Sequence, residues 1–294
     1  MSVVVSSRQV MENLQSLNKI HSAKYMKPDC LHTDKIKKNL RTKIIGREII
    51  TLERATSTMD IAKEMLKNGA VEGTTIFVEE QTKGRGRSGR EWFCQNGKGL
   101  LLTIVLKPVI LPKESYLLMG FTAVAIVKTI RDMLQLPVEI DWPNDIVINK
   151  KKLGGIIVET QNHTGNSVSY VVGIGINVNL KRQELPIHID KPATSLIIEK
   201  ERYIDRTRFA RELLQNLDSW YLILKDERFE HIVEKWQEFC INIGGRVYIR
   251  KAKKEYSGNF LGISNSGELI LLLDNGRKRT FKVEHAIMEN HSEQ

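Results

Sequence analysis

The chain has 294 residues, enough for one large domain or for a large and a small one. A hydrophobic content of 41% and a charged content of 27% are ordinary for a soluble globular protein, and no apolar run approaches the roughly 20 residues of a membrane span. The three cysteines form no Cys-x-x-Cys pair and the histidines do not cluster, which argues against a disulfide scaffold and a structural zinc site. Because the N-terminus also lacks a signal-peptide pattern, we expect a cytoplasmic protein without membrane contact.

Positive charge is concentrated near the N-terminus. The formal net charge is +10, and residues 1–50 hold ten Lys/Arg against four Asp/Glu, a surplus of six. Such a surplus occurs in segments that contact nucleic acid, but more often in a solvated, partly ordered leader. We favour a basic leader over residues 1–34, and DNA is not expected as a partner.

The elements that follow mix helices and strands without regular βαβ repeats, which predicts an α+β fold. A turn over 149–152 joins two of the strands. In chain order the predicted elements are a helix over 34–40, a strand over 47–53, a helix over 59–68 capped by Ser57 or Thr58, strands over 75–80 and 100–106, a helix over 116–134, strands over 138–142, 145–148, 153–159 and 168–178, and helices over 205–224 and 229–239.

A boundary follows at Gly244 and Gly245. After it come short β-rich runs separated by glycine turns, a pattern typical of a small β-barrel. The sequence therefore predicts a large domain over 35–242 and a barrel domain over 243–294, with strands over 246–251, 256–263, 268–273 and 278–283.

The segment 84–92, Gly-Arg-Gly-Arg-Ser-Gly-Arg-Glu-Trp, alternates glycine with arginine. Glycine at this density excludes a stable helix or strand interior, and arginine binds phosphate and carboxylate groups. No Lys-Ser or Lys-Thr follows, so this is not a Walker loop, and the next element is a strand, whereas a dinucleotide loop opens a helix. The segment is either a solvated basic loop or a loop, mobile when empty, that closes over an anionic ligand.

Four sequence blocks stand in order along the chain, and together they resemble the biotin protein ligase family. The resemblance covers about residues 35 to 290 and implies a mixed-sheet catalytic domain followed by a small SH3-like β-barrel. The blocks are 81–92 (Gln-Thr-Lys-Gly-Arg-Gly-Arg-Ser-Gly-Arg-Glu-Trp), 141–145 (Asp-Trp-Pro-Asn-Asp), 151–156 (Lys-Lys-Leu-Gly-Gly-Ile) and 173–177 (Gly-Ile-Gly-Ile-Asn).

The resemblance implies a two-step reaction. Biotin attacks the α-phosphate of ATP to give biotinyl-5′-AMP and pyrophosphate, and a lysine of a biotin carboxyl carrier protein or domain then displaces AMP. The first step joins two anions and requires preplaced cations, while the second requires the anhydride to be shielded from water. Biotin and ATP are therefore expected as substrates, with Mg²⁺, and the family also suggests a homodimer.

Biotin contacts are implied by the same resemblance. They include a pair at a predicted helix start, whose alternative role is a plain N-cap, and glycines at which the backbone approaches the ligand closely. The implied biotin-binding residues are Ser57, Thr58, Gln81, Gly84, Arg85, Arg87, Lys152, Gly155 and Gly173.

Contacts to ATP or the adenylate are implied at Arg87, Arg90, Trp92, Asn144, Lys152 and Asn177. Lys152 and Arg87 are the catalytic candidates, and Lys152 is expected to bridge the carboxylate and the α-phosphate unless it is a solvated turn lysine. Trp92 is either the ring that packs on the adenylate or a core aromatic. Asn144 and Asn177 are candidates for the nucleotide or the magnesium shell, and no metal ligand is assigned with certainty.

One position departs from the family pattern. A lysine usually precedes Trp-Pro-Asn-Asp, and here Asp141 places an anion near the expected nucleotide site, where Lys150 or Lys151 could compensate. The end of the predicted barrel, 282–285, also lacks an expected glycine.

Two other functions remain open. A ligase that is also a biotin-responsive repressor needs an N-terminal winged helix of about sixty residues, for which residues 1–34 are too short and lack a helix-turn-helix pattern. A biotin- or adenylate-binding protein without ligase activity is suggested by Asp141.

Overall fold

The computed structural model describes residues 30–110, 114–162, 168–186, 191–241, 243–251, 254–282 and 287–289. Most of the predicted leader lies outside these residues. The first described helix begins at Thr33, inside the segment assigned to the leader, and the Leu31 amide donates to Glu79 Oε1 at 2.6 Å. Residues 30–34 therefore pack against the large domain.

A seven-stranded mixed sheet is the centre of the large domain, which confirms the α+β prediction. Its spatial order is β1-β2-β3-β7-β6-β5-β4; β1 and β2 are parallel and the other neighbours antiparallel. The strands are β1 (Ile49–Ala55), β2 (Thr75–Gln81), β3 (Gly99–Leu106), β4 (Val138–Asp141), β5 (Asp145–Ile148), β6 (Lys151–Asn162) and β7 (Val168–Asn177).

Helices lie on both faces of this sheet. They are α1 (Thr33–Lys37), α2 (Thr58–Lys67), α3 (Tyr116–Leu134), α4 (Leu196–Lys200), α5 (Arg206–Lys225) and α6 (Phe229–Glu238). Helix α3 is apolar on nearly every side and is a core helix. Helix α2 is amphipathic and begins at an N-cap, Ser57, whose hydroxyl accepts from the Met59 amide at 3.3 Å. Within the described ranges, no helix combines the length and apolarity that crossing a membrane requires.

Alternation along β3 separates the core into two layers. Leu100, Leu102 and Ile104 face the layer that contains α3, α5 and α6, while Leu101 and Val105 face the layer that contains α2. The second layer is the thinner one. It leaves the ends of β2, β6 and β7 beside the start of α2, where the candidate site lies.

The C-terminal strands form one five-stranded antiparallel sheet in the order β11-β10-β9-β8-β12. Its edge strands do not pair with each other among the described residues, and the segment 283–286, which covers most of the predicted barrel end, lies outside them. Closure into a barrel thus remains a prediction. The strands are β8 (Arg246–Lys251), β9 (Lys254–Ile263), β10 (Leu269–Leu273), β11 (Lys278–Phe281) and β12 (Ile287–Glu289).

Candidate active site

A buried polar chain joins the start of α2 to β2 and β3. Gln81 Oε1 accepts from the Thr58 amide at 2.8 Å and from the Thr58 hydroxyl at 3.1 Å, and Thr103 Oγ1 donates to Thr58 Oγ1 at 2.7 Å. Ser57 and Thr58 are both almost fully buried. Because the Gln81 carbonyl oxygen is already held, its amide nitrogen is the group positioned to donate to a ligand.

Glycines of β6 and β7 form a side-chain-free floor beside this chain. Gly155 and Gly175 are directly paired, and Trp92 lies over both: a Cβ on Gly175 would be 2.6 Å from the indole, and one on Gly155 would be 3.6 Å from it. Gly173 faces the flexible Met59 side chain, 2.9 Å from a Cβ there. In this structure Trp92 therefore covers part of the floor that the sequence assigns to biotin.

The segment 84–92, here called the glycine-arginine loop, is folded back on itself. Trp92 N donates to the Gly84 carbonyl at 2.9 Å, and a Cβ on Gly84 would lie 2.3 Å from the Trp92 carbonyl oxygen, so glycine is required there. A single 3₁₀ turn, Arg87–Gly89, forms the tip. The Arg85 guanidinium pairs with Asp60 of α2 at 2.6 Å, which ties the loop to the helix that carries Thr58.

Arg87 points inward to the turn between β4 and β5. Its guanidinium donates to Asn144 Oδ1 at 2.9 Å. Burial lowers the pKa of Arg87, the Asp145 carboxylate raises it, and neighbouring Arg90 lowers it again, with a net decrease. An arginine stays protonated under all ordinary conditions. An anion bound beside Arg87 would therefore offset the cost of burying its positive charge.

Lys152 lies on a strand, which corrects the predicted turn over 149–152. Asn149 and Lys150, with φ of +50° and +62°, form the two-residue hairpin turn, and β6 begins at Lys151. The Lys152 ammonium pairs with Asp145 Oδ1 at 2.8 Å and lies 5.8 Å from the Trp92 ring centroid. The strand thus fixes Lys152 at the floor, between the loop and Asp145.

Asp141 is 4% exposed, and its partner is Lys191 rather than Lys150 or Lys151. The Lys191 ammonium contacts Asp141 Oδ2 and lies 3.4 Å from Asp145 Oδ2. Burial favours the neutral amine, but the Asp141 and Asp145 carboxylates outweigh it and raise the pKa of Lys191. The cation beside Asp141 is therefore Lys191, a residue that no motif marked.

In this structure, Asn144 and Asn177 form hydrogen bonds that hold neighbouring segments of the site together. Asn144 accepts from Arg87 and donates at 3.3 Å both to Asp145 Oδ1 and to the Ile156 carbonyl. Buried Asn177 donates to the Thr194 carbonyl at 3.0 Å. Their predicted contacts with nucleotide or magnesium remain predictions. No group of three or more acidic, histidine or cysteine side chains suited to a metal occurs among the described residues.

Three further residues of the site were not assigned from the sequence. Gly175 follows Gly173 by two positions on a strand, a period that places both on one face and could have indicated it. Asp145 belongs to the block 141–145, but the sequence assigned no role to it. Lys191 carried no sequence signal, because it reaches the site through the 191–195 segment that runs beside β6.

An open cleft of about 1750 Å³ extends from the loop toward the β9–β10 turn. Its walls include Arg85, Arg87, Glu159, Ser266 and Lys282. The volume exceeds that of a typical small-molecule pocket, which is about 300–1,000 Å³. Its lining includes the loop arginines, whereas Lys152 and the floor glycines are not among the described residues that line it, so the cleft lies on the outer side of the loop.

A comparison with known families names the class of protein to which this fold belongs. Residues 51–177 match the model of the Biotin/lipoate A/B protein ligase family. The chain is 33% identical over 258 residues to the bifunctional ligase/repressor BirA of Bacillus subtilis (strain 168), covering 88% of this chain and 79% of that protein. It is 25% identical over 245 residues to a biotin–[acetyl-CoA-carboxylase] ligase of Mycobacterium tuberculosis, covering 80% and 88%.

A solved structure of the biotin protein ligase from Aquifex aeolicus, in complex with biotin and ATP, matches with a TM-score of 0.72. Identity to it is 25%, over 83% of this chain and 100% of that chain. The chain belongs to the biotin protein ligase family.

Proposed function

We propose that this protein activates biotin with ATP and then transfers the biotinyl group to a lysine of a biotin carboxyl carrier domain. The observation that carries the proposal is the convergence of two cations, Lys152 and Arg87, beside a side-chain-free floor. Lys152 reaches Asp145 at 2.8 Å and Arg87 reaches the adjacent Asn144 at 2.9 Å. This arrangement suits the condensation of two anions.

In the first step, a biotin carboxylate oxygen attacks the α-phosphorus of ATP, and the bond to the bridging oxygen breaks to release pyrophosphate. Lys152 would contact the carboxylate and the α-phosphate together, and Arg87 the same phosphate. Asp145 holds Lys152 in place until these anions arrive. Because the two cations are preplaced, little reorganisation is needed as charge develops on the phosphate.

In the second step, the neutral amine of the carrier lysine attacks the carbonyl carbon of the mixed anhydride, and AMP leaves with the bonding electrons. The anhydride must be kept from water until the amine arrives. The glycine-arginine loop, with Trp92 at its end, covers the floor and is suited to that task. The open cleft beside the loop supplies the approach for the lysine.

The remaining site assignments form part of the proposal. The polar chain of Ser57, Thr58 and Gln81 would bind the biotin ring above Gly155 and Gly173, with Gly84 and Arg85 closing the loop around it. Arg90, Trp92, Asn144 and Asn177 would contact the adenylate. Mg²⁺ would enter bound to the ATP phosphates.

The organisation of the protein is also proposed. We keep the predicted division into a leader over 1–34, a catalytic domain over 35–242 and an SH3-like barrel over 243–294, with residues 30–34 packed against the catalytic domain. We propose a homodimer from the family resemblance and the cytoplasm from the cysteine pattern. These assignments can be tested by solution mass measurement, limited proteolysis and cell fractionation.

Pyrophosphate release tests the proposed chemistry. With biotin, ATP and Mg²⁺ supplied, we expect release that requires biotin and stops after about one equivalent per site, because the adenylate stays bound. Binding of both ligands without pyrophosphate would instead favour a binding protein that lacks ligase activity.

A second candidate function, a ligase that also represses transcription, is favoured by the names of the Bacillus relatives. A mobility-shift assay with the promoter DNA of biotin-synthesis genes, with and without biotin and ATP, tests it. Ligand-dependent binding would support the repressor role, and an unshifted band would exclude it for that DNA.

A further inference from the structure

Two carboxylates lie directly opposite each other at the ends of β4 and β5. Asp141 and Asp145 are register partners in this antiparallel pair, and both side chains are largely buried. Like charges placed directly across two strands repel each other. A cation placed between the two carboxylates would offset this repulsion.

Lys191 is that cation. Its ammonium contacts Asp141 and also approaches Asp145 Oδ2 at 3.4 Å. The segment that follows Lys191 is hydrogen-bonded to the backbone of Lys152. Lys152 N donates to the Pro192 carbonyl at 2.7 Å, and Thr194 N donates to the Lys152 carbonyl at 2.8 Å.

Asp145 is shared between the two lysines. Oδ1 binds the Lys152 ammonium, while Oδ2 faces Lys191. The charge of Asp145 also acts on Arg87. If Lys191 were neutral, the negative charge of both aspartates would fall on Lys152 and Arg87, and these two groups would be less available to other anions.

We infer that Lys191 is a positioning residue for adenylation, which neutralises Asp141 and Asp145 so that Lys152 and Arg87 can bind the substrate anions. This inference rests on the proposed function. It assigns to Lys191 an indirect role, since Lys191 acts through Asp145. The affinity for the nucleotide therefore depends on the summed charge of Asp141, Asp145 and Lys191. It does not depend on whether the Asp141–Lys191 ion pair is intact.

Two substitutions break the same ion pair with opposite changes of charge. Lys191→Met removes a positive charge, keeps an unbranched apolar side chain and leaves the local charge more negative. Asp141→Asn removes a negative charge in a side chain of nearly equal size. The inference predicts that Lys191→Met raises the KM for ATP about tenfold or more in pyrophosphate release, whereas Asp141→Asn leaves it unchanged or lowers it.

The double variant Asp141→Asn/Lys191→Met restores the net charge without restoring the pair. Its KM for ATP should return to within about threefold of the wild-type value. A role limited to folding predicts a different pattern: both single variants would lower the unfolding temperature and the active fraction, with an unchanged KM. Equal KM values in Lys191→Met and the wild type, or no recovery in the double variant, would overturn the inference.

Calorimetric titration with ATP separates failure of this inference from failure of the proposed function. If the wild type binds ATP without releasing pyrophosphate, the proposed function fails, and the Kd values of the same variants still decide the role of Lys191. The same ordering of Kd supports it, and equal Kd values overturn it. Wild-type protein that does not bind ATP would overturn both.

Discussion

Lys152 and Lys150 are close in sequence, but only one of them faces the site. Lys152 contacts Asp145 beside the glycine floor, while Lys150 is an exposed residue of the hairpin turn. Lys152→Ala should lower the rate of adenylate formation by about 10²–10³-fold, in line with removal of one preplaced electrostatic donor. Single-turnover pyrophosphate release measures the rate. Lys150→Ala is the matched control, and equal rates in the two variants would contradict the assignment.

Gly175 and Gly155 test the contact between the floor and Trp92. A methyl group on Gly175 would meet the indole at 2.6 Å, so Gly175→Ala should displace Trp92 or cost about 1–3 kcal/mol in the free energy of unfolding. On Gly155 the same atom would make an ordinary 3.6 Å contact, and Gly155→Ala should leave the unligated protein as stable as the wild type to within about 1 kcal/mol.

Tryptophan emission and denaturant unfolding are the measurements for this pair. A red-shifted emission or a lower stability in Gly175→Ala alone is the expected result. Identical spectra and stabilities in both variants would show that Trp92 does not rest on Gly175.

Residues within motifs could be placed from sequence, and residues outside them could not. Arg87 and Lys152 belong to blocks whose chemistry is readable, and the structure brings them to one site. Lys191 is 46 positions from Asp145 in sequence, and its contact depends on a segment that pairs with β6. Such long-range pairing has no local pattern, so a single sequence does not reveal it.

At the scale of elements, the glycine-arginine loop is the segment that ligands should change most. Lys83, Arg85 and Arg90 are exposed in this glycine-rich segment. The like charges of Arg87 and Arg90 act on each other, and an added anion should offset them. Trypsin should therefore cut between Lys83 and Arg90 in the unligated protein, and biotin with MgATP should slow this cleavage at least about tenfold as the loop closes. Mass spectrometry of the fragments gives the rates.

Arg228, exposed at the turn between α5 and α6, is the internal control for that experiment. Its cleavage should be the same with and without ligand. Loop cleavage that is equally fast in both conditions would contradict closure over the adenylate.

Helix starts were predictable where a local cap exists, and strand starts mostly agree with the prediction, but the start of β6 does not. Ser57 caps α2 as expected, and α3 spans the predicted residues because its apolar run is continuous. The start of β6 was misplaced because Lys150, Lys151 and Lys152 look alike in sequence. The turn is determined by the left-handed backbone at Asn149 and Lys150, which composition alone did not indicate.

At the scale of the whole molecule, the C-terminal sheet shares the main hydrophobic core with the large domain, and two side-chain hydrogen bonds help to dock it. Tyr116 Oη donates to the Asn265 carbonyl at 2.6 Å, and Gln237 Oε1 accepts from the Ile263 amide at 2.9 Å. Gly267, with φ of +70°, lies so close to Tyr116 that a Cβ would be 1.9 Å from its ring. Gly267→Ala should therefore lower the free energy of unfolding through both backbone strain and overlap, by about 2–4 kcal/mol.

Gly276 is the matched control for backbone strain. Its φ is +78°, but a Cβ there would meet nothing within 4 Å, so Gly276→Ala should cost only the strain, about 1–2 kcal/mol. Urea denaturation compares the two variants. Equal losses would show that Tyr116 does not restrict this turn.

The order of the strands was beyond prediction from the residues alone. β7 lies between β3 and β6, so β3 and β7 are neighbours in the sheet although three strands separate them in sequence. β1 joins the edge in parallel with β2. Alternation of apolar residues predicted the strands individually, while their order reflects packing across the whole sheet. The resemblance to a ligase family supplied the mixed sheet that the residue pattern could not.

Transfer of biotin to a carrier is the most direct test of the central claim. The protein is incubated with biotin, ATP, Mg²⁺ and a purified biotin carboxyl carrier domain, and the intact mass of the carrier is measured. We predict a gain of one biotinyl group that requires ATP, is lost when the acceptor lysine of the carrier is replaced by arginine, and is strongly slowed in Lys152→Ala. An unchanged carrier mass, in the presence of protein that demonstrably binds biotin and ATP, would contradict the account.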